Sequence, residues 1–194
     1  MSVSDTINQV IQTRRTVKPK QMAQRDVDHS IIQMMLENAN WAPTHGLTEP
    51  WRFSVFTGSS REKLASFLAA TYKKITPADS FKQNKYEGMS KNAMLAPVVI
   101  ALGMKRQPSR KIPELDEIQA VACAVQNMHL TATSHGLCAF WSTNIAAVSS
   151  EMAQYIGLEE GDRALGLFYV GYPEGDWPTG TRQTIEEKVR WVDG

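Results

Sequence analysis

Cysteine is scarce in this sequence, and the spacing of its cysteines does not suit a metal or a disulfide framework. Only Cys123 and Cys138 occur among the 194 residues, with no Cys-x-x-Cys pair and no histidine at metal-ligand spacing from either. Structural zinc sites need closely spaced ligands, and disulfide scaffolds need several paired cysteines. The sequence therefore predicts neither a metal site nor a disulfide-stabilised scaffold.

Long hydrophobic runs are absent as well. The longest of them, such as residues 96–104, fall far short of the roughly 20 apolar residues that a membrane span requires. Residues 1–10 carry polar side chains and an acid, where a secretory signal has a basic start and a long apolar stretch. We therefore expect a cytoplasmic protein without membrane association.

The chain also lacks an excess of charge of either sign. Lysine and arginine total 21 and aspartate and glutamate 20, which leaves a formal net charge of +1. Duplex binding normally depends on several unbalanced cations, and the basic segment 13–20 lacks the interleaved aromatics that bind single strands. Nucleic-acid binding is therefore disfavoured.

Neither of the two best-known glycine-rich phosphate loops occurs, so a bound nucleotide would need side-chain cations.

What the sequence does contain is the pattern of one mixed domain over residues 1–194. Its 42% hydrophobic and 21% charged residues are typical of globular proteins. Helical spacing predicts several helices, including a long, buried central one over residues 115–135. Ser59 and Glu62 predict a capping box at the start of another helix. Apolar patterns predict four strands, at residues 52–56, 97–103, 137–141 and 165–170.

Basic residues concentrate in the segment "TRRTVKP", where Arg14, Arg15 and Lys18 lie within five positions. Two interpretations are open. The cations complement the dipole at the end of the first helix, or they form an anion site with the hydroxyl of Thr16. A phosphomonoester carries about −1.5 to −2 charges near pH 7, so two guanidinium groups match it better than one. Arg14 and Arg15 supply such a pair.

Four motifs follow one another along the chain. They are "RRTVK" after the first helix, "APTHGLTEPWRF" between a helix and a strand, "GLCAFWSTN" after the central helix, and "LGLFYVGYP" followed by Arg182. As an ordered set covering about residues 4–192, they resemble the nitroreductase family of FMN flavoenzymes. The resemblance implies an α+β fold with a central mixed sheet flanked by helices. It also implies an interlocked homodimer that binds FMN at the subunit interface.

The resemblance assigns the basic segment and the C-terminal arginine to the flavin. It implies that Arg14, Arg15 and Thr16 bind the phosphate and ribityl chain. Lys18 would approach N1 and O2, where positive charge stabilises the reduced ring. Arg182 falls where the family often returns a basic residue to the phosphate. The alternative for Arg182 is a solvated surface arginine.

The loop "WAPTHGLTEPW" matches the strip that the partner subunit lays against the flavin. His45 has the alternative of an exposed loop histidine, and for Trp51 core packing is favoured. Leu47 stands where asparagine is common, and Glu49 where an amide is common. A carboxylate there would accept a hydrogen bond from flavin N3–H but repel the reduced anion. The matching residues of this strip are Trp41, Pro43, Thr44, His45 and Glu49.

In "FWSTN", the backbone around Trp141, Ser142 and Thr143 matches the stretch that runs beside the isoalloxazine ring and donates to N5. Trp141 has the alternative of ordinary core packing. His129 and His135 lie on the central helix, and we interpret both as structural.

The implied function is an FMN oxidoreductase in which NADH or NADPH reduces flavin N5 and a small oxidised acceptor then takes the hydride in the same pocket. Nitroaromatics, quinones and activated alkenes are candidate acceptors. The protein would position substrates and exclude water, so no catalytic side chain is assigned. Two alternatives stay open. The same fold would serve another flavin reaction, such as dehalogenation or flavin breakdown, or the protein would bind flavin without catalysis.

Overall fold

The computed structural model describes residues 2–192. Along these residues, α-helices and β-strands form an α+β fold, and the predicted class is confirmed. All four predicted strands and the long central helix occur, with bounds shifted by one or two residues. The elements are α1 Val3–Thr13, α2 His29–Ala39, β1 Trp51–Thr57, α3 Ser60–Ile75, α4 Gln83–Leu95, β2 Val98–Met104, α5 Glu114–Ser134, β3 Cys138–Ser142, α6 Ser150–Tyr155 and β4 Arg163–Gly171.

The capping box predicted for α3 is wrong, whereas α1 has one. At α1, the Ser2 hydroxyl accepts from the amide of Asp5, and the Asp5 carboxylate accepts from the amide of Ser2. Ser59 already has helical angles and makes no side-chain cap. Because β1 turns directly into α3, the Ser60 hydroxyl accepts from the amide of Thr57 instead, at 2.9 Å.

The sheet has the strand order β1-β2-β4-β3, and every neighbouring pair is antiparallel. The prediction of a mixed sheet is therefore corrected to an antiparallel sheet. Between residues 2 and 192, the one parallel pairing is an isolated bridge from Thr16 to Ala139. The reason lies in the connections. The two helices α3 and α4 return the chain antiparallel to β1, and β4 enters between β2 and β3 and runs opposite to both.

Side chains alternate across this sheet into two cores. Strand β2 is buried along its whole length, as expected for a strand covered on both faces. The helices α2 and α5 cover one face, and α3, α4 and α6 cover the other. The first core includes Met35, Trp51, Ile100, Met128 and Phe168. The second core includes Leu64, Leu68, Val99, Met152 and Tyr169.

After β4 the chain returns along the N-terminal segment. The amide of Glu174 donates to the carbonyl of Gln21, and the indole of Trp177 donates to the carbonyl of Thr13 at 2.7 Å. Residues 181–192 are exposed throughout, including Trp191 at 84%. This route places the C-terminal segment beside the basic residues that follow α1.

Candidate functional site

The basic segment lies along β3, which is an edge strand. Thr16 forms a bridge with Ala139, and the amide of Val17 donates to the carbonyl of Ala139 at 3.1 Å. Val17 itself is buried in the second core. The sheet therefore joins two segments that are more than 120 positions apart in the chain, the basic segment and "FWSTN". Lys18 extends from this junction and is exposed.

Arg14, Arg15 and Arg182 converge at the end of α1. Burial lowers the pKa of Arg14, and the nearby charges of Arg182 and Arg15 lower it further. None of the three takes part in an ion pair in the described part of the chain. Like charges brought together without a counterion favour the binding of an anion.

The three arginines are not equivalent. The Arg15 guanidinium donates to three backbone carbonyls, those of Pro178 at 3.0 Å, Gln12 at 2.6 Å and Arg14 at 2.8 Å. Arg15 therefore fastens the C-terminal segment to the end of α1. Within residues 2–192, the Arg182 side chain donates only to its neighbour's carbonyl, at Thr181, and Arg182 is exposed. Arg14 and Arg182 are thus the pair with free donors.

His129 supports the basic segment from the central helix. Its Nε2 lies 3.0 Å from the carbonyl oxygen of Arg15, and its ring packs edge-on against Phe168. Burial lowers the pKa of His129 to about 4, with the charge of Arg14 acting in the same direction. The ring is therefore neutral near pH 7, and Nε2–H donates to Arg15. This contact gives His129 the structural role expected for it.

A cavity of about 1100 Å³ opens beside Lys18. Phe140 and Tyr169 form an aromatic wall, with ring centres 6.0 Å apart and nearly parallel planes. Ser142 and Asn144 add polar groups. The volume is slightly above the range of about 300–1,000 Å³ for small-molecule sites. Among the described residues 2–192, the lining contains Lys18, Lys20 and Lys85 but neither aspartate nor glutamate.

Strand alternation separates the residues of "FWSTN". Phe140 and Ser142 face the cavity, whereas Trp141 packs against the first core and donates to the carbonyl of Leu165 at 2.9 Å. Thr143 follows the strand and is exposed. Asn144 was not predicted. Its side-chain oxygen Oδ1 accepts from two consecutive amides, those of Ala146 and Ala147. An asparagine two residues after a strand is the local signal that could have revealed it.

The strip 41–49 does not reach this cavity within one chain. Ala42 within the strip and Trp51 just after it belong to the first core, on the opposite face of the sheet from Phe140 and Tyr169. Trp51 is core, as favoured from the sequence, and its indole donates to Asn40 at 2.9 Å. The predicted site residues therefore form two separate groups.

Most of the strip faces solvent. Trp41 is 85% exposed, and Pro43, His45 and Glu49 are also exposed. The hydroxyl of Thr44 lies 3.0 Å from that of Thr48, and it accepts from the amide of Glu49. One bond ties the strip to α5, between His45 Nδ1 and Asp116 Oδ2 at 2.7 Å.

Leu47 and Glu49, the two departures from the family pattern, have left-handed backbones, with φ of 54° and 43°. Asparagine tolerates this region, but a residue with a longer side chain pays about 1–2 kcal/mol there. Leu47 is also 82% exposed, so burial of its own side chain does not offset the strain. Strained, exposed loops of this kind are typical of binding sites.

Over residues 2–192, no three histidine, cysteine, aspartate or glutamate side chains are grouped so that they would hold a metal ion. Over the same residues, no helix combines the length and the apolar character needed to cross a bilayer.

Comparison with known proteins gives consistent matches. The sequence model of the Nitroreductase family matches residues 11–172. A Bacillus subtilis (strain 168) protein, provisionally named NAD(P)H nitroreductase YfhC, is 26% identical over 169 residues, or 87% of this chain and 84% of that protein. A solved nitroreductase-like family protein from Bacillus cereus has a TM-score of 0.82 at 26% identity and covers 100% of both chains.

A more distant structure is similar in fold. It is the FMN-dependent nitroreductase NfnB from Mycobacterium smegmatis in complex with NADPH. Its TM-score is 0.76 at 17% identity, and the alignment covers 99% of this chain and 100% of that one.

Proposed function

This chain belongs to the nitroreductase family, and we propose that it is an FMN-dependent oxidoreductase that uses NADH or NADPH to reduce a small oxidised acceptor. A nitroaromatic, a quinone or an activated alkene would receive the hydride through flavin N5. One observation carries the proposal. The converging Arg14 and Arg182 have no ion-pair partner among the described residues, and the neighbouring cavity has an aromatic wall and no acid in its lining.

The residues present fit FMN. Arg14 and Arg182 would hold the phosphate, together with the hydroxyl of Thr16. Arg15 would contribute indirectly, because its guanidinium is already bonded to backbone carbonyls. Lys18, at the cavity, would place positive charge against N1 and O2. FMN, when bound, supplies the centre that accepts a hydride and later donates it.

The chain's own residues would position the reactants and exclude water. The wall of Phe140 and Tyr169 is aromatic, and its two rings are nearly parallel, which suits a planar ring. Ser142 and the exposed backbone at Thr143 would lie at the ring edge. No side chain at the cavity is required as a nucleophile or general acid, because hydride transfer depends on placing two rings in contact.

We further propose that a second copy of this single-domain chain completes the site. The strip lies on the face of the sheet opposite its own chain's cavity. It is mostly exposed, it presents the apolar side chains of Trp41 and Leu47 to solvent, and its backbone is strained. In a homodimer it would meet the partner's flavin. The strip residues that would do so are Trp41, Pro43, Thr44, His45 and Glu49.

Flavin content tests the phosphate site. We expect the purified protein to show the visible spectrum of bound FMN, and Arg14→Ala plus Arg182→Ala to lower its FMN affinity about tenfold or more. Charged hydrogen bonds are each worth about 1.5–3 kcal/mol, and about 1.4 kcal/mol is tenfold in affinity. Lys63→Ala plus Lys73→Ala, which removes two exposed cations from α3, is the matched control. Equal FMN affinity in the arginine variant and the control would contradict the assignment.

Stopped-flow absorbance tests the reaction. We expect NADH or NADPH to bleach the bound flavin and a nitroaromatic or quinone to restore its colour. A flavin that neither coenzyme bleaches would instead identify a flavin-binding protein without this activity.

A further inference from the structure

The cavity extends beyond its aromatic wall toward the connection between α3 and α4. The residues at that end match none of the family motifs in the sequence. They include Thr76, Pro77, Ser80, Asn84 and Lys85, and Lys20 joins them from the basic segment. The connection is held in place by aromatic side chains. The amide of Lys82 donates to the hydroxyl of Tyr72 at 3.1 Å, and the Tyr72 and Phe81 rings lie 5.4 Å apart.

Positive charge at this end of the cavity is unbalanced. Over residues 2–192, neither Lys20 nor Lys85 takes part in an ion pair. The nearby acids Asp79 and Glu87 are not part of the lining. The Asp79 carboxylate accepts from the Ser80 hydroxyl at 3.1 Å, and the Glu87 carboxylate accepts from the Gln83 amide group. The helix α4 adds to the effect, because its first turn contains no acid to balance the positive end of its dipole.

A buried hydroxyl without a partner lies at the same place. Thr76 Oγ1 is shielded from solvent, and in the described part of the chain it is the one buried side-chain nitrogen or oxygen that makes no hydrogen bond. Leaving such a group unpaired costs about 1–3 kcal/mol. Thr76 belongs to the cavity lining. Thr76 as a whole is only half-buried, so rotation of its side chain would turn this hydroxyl toward a hydrogen-bond acceptor bound in the cavity.

We propose that Lys20, Thr76 and Lys85, with the N-terminus of α4, form a subsite for an anionic group carried by an aromatic substrate. We call it the hairpin subsite. The proposal rests on the function proposed above and narrows its substrate class. The anionic group would come from one of two molecules. It would be a carboxylate or sulfonate on the acceptor, or it would be the 2′-phosphate of NADPH. Both use the same chemistry, charge-assisted hydrogen bonds to ammonium, hydroxyl and helix amides.

Binding of matched neutral and charged probes tests the subsite without turnover. We expect isothermal titration calorimetry to show benzoate binding about tenfold or more tightly than benzamide, which has nearly the same shape. Lys85→Gln should abolish this preference, whereas Lys85→Arg should retain it. Lys73→Gln, which removes an exposed cation outside the cavity, should leave the preference unchanged. Equal binding of the two probes to the unmodified protein overturns the carboxylate assignment.

Turnover separates the two sources. Reduction of 4-nitrobenzoate to the nitroso compound consumes one NAD(P)H and one proton and releases NAD(P)⁺ and water, and 4-nitrobenzamide follows the same balance. If the acceptor carries the anion, Lys85→Gln lowers the kcat/KM ratio of nitrobenzoate to nitrobenzamide about tenfold. If NADPH carries it, the same variant lowers the NADPH to NADH ratio. A variant that changes neither ratio overturns the proposal.

Flavin content distinguishes failure of this inference from failure of the proposed function. Protein that binds FMN and reduces nitrobenzamide without either preference retains the function and loses the subsite. Loss of FMN from Lys85→Gln would assign the lysine to the cofactor's phosphate and overturn the subsite. Protein that binds no FMN would overturn both.

Discussion

His129 connects the central helix to the basic segment through one hydrogen bond, to the carbonyl of Arg15. The contact also keeps a neutral ring beside the charge of Arg14. Arg15 is thus held in two ways. Its side chain donates to three backbone carbonyls, and its own carbonyl accepts from His129. The position of the Arg14 guanidinium therefore depends on the residues that hold Arg15 in place.

Acid should destabilise the fold through His129. Its pKa is about 6.5 when unfolded and is lowered to about 4 in the folded protein. The unfolded state therefore binds more protons between these values, and stability is lost as the pH falls through them. We expect a loss of about 2 kcal/mol between pH 7 and pH 5, measured by urea unfolding. His129→Gln keeps a donor but does not titrate, so it should lose about 2 kcal/mol less. Identical pH dependence of the two proteins would exclude His129 as the cause.

Among the elements, β4 depends on a glycine where it passes β3. Gly166 has a φ of 127°, and a Cβ there would lie 2.5 Å from the carbonyl oxygen of Ser142 and 2.7 Å from Trp141 Nε1. The close approach holds Trp141 against the first core and leaves Phe140 and Ser142 facing the cavity. One glycine thus sets the geometry of two strands at the site.

Gly166→Ala should therefore cost about 1–3 kcal/mol of stability, since the added methyl displaces the backbone of β3. Denaturant unfolding measures the loss, and tryptophan fluorescence reports the displacement of Trp141. Gly88→Ala is the comparison, because Gly88 lies in α4 with open space around it. That change should raise stability by about 0.5–1 kcal/mol. Similar effects of the two substitutions would refute the role given to Gly166.

For the whole molecule, the exposed apolar surface is the feature that one chain does not explain. No residue of α1 is buried, and Val3, Ile7 and Ile11 are 78%, 54% and 48% exposed along one side of the helix. Trp41 and Trp191 are exposed as well. An apolar helix face gains stability mainly by packing, so a second copy of the chain is the partner we propose for it.

Ile7→Glu plus Ile11→Glu should convert the proposed dimer to a monomer, because two carboxylates would be buried at the interface. Size-exclusion chromatography with light scattering measures the mass, and the visible spectrum measures the accompanying loss of FMN. Gln9→Glu plus Gln12→Glu adds the same charge to the opposite side of α1. A monomeric unmodified protein that still binds FMN would contradict the dimer proposal.

Sequence patterns predicted the elements well and their pairing less well. Helices, strands and the buried character of β2 follow from periodicity over 5 to 20 residues, which is local information. The antiparallel order of the sheet was missed, because strand pairing joins residues far apart in the chain. The capping box predicted for α3 does not form, because the turn from β1 brings the hydroxyl of Ser60 to the amide of Thr57 and leaves Ser59 without a side-chain cap.

By itself, the sequence determined the membership of a family and the group of cations after α1, since ordered motifs and clustered charges survive without coordinates. Tertiary structure alone decided how those cations are used. Arg15 bonds Pro178, and Arg14 meets Arg182, only because the chain after β4 returns to α1. It also placed Thr76 and Lys85 at the acid-free end of the cavity. Such contacts depend on how distant segments pack, and no short pattern encodes that packing.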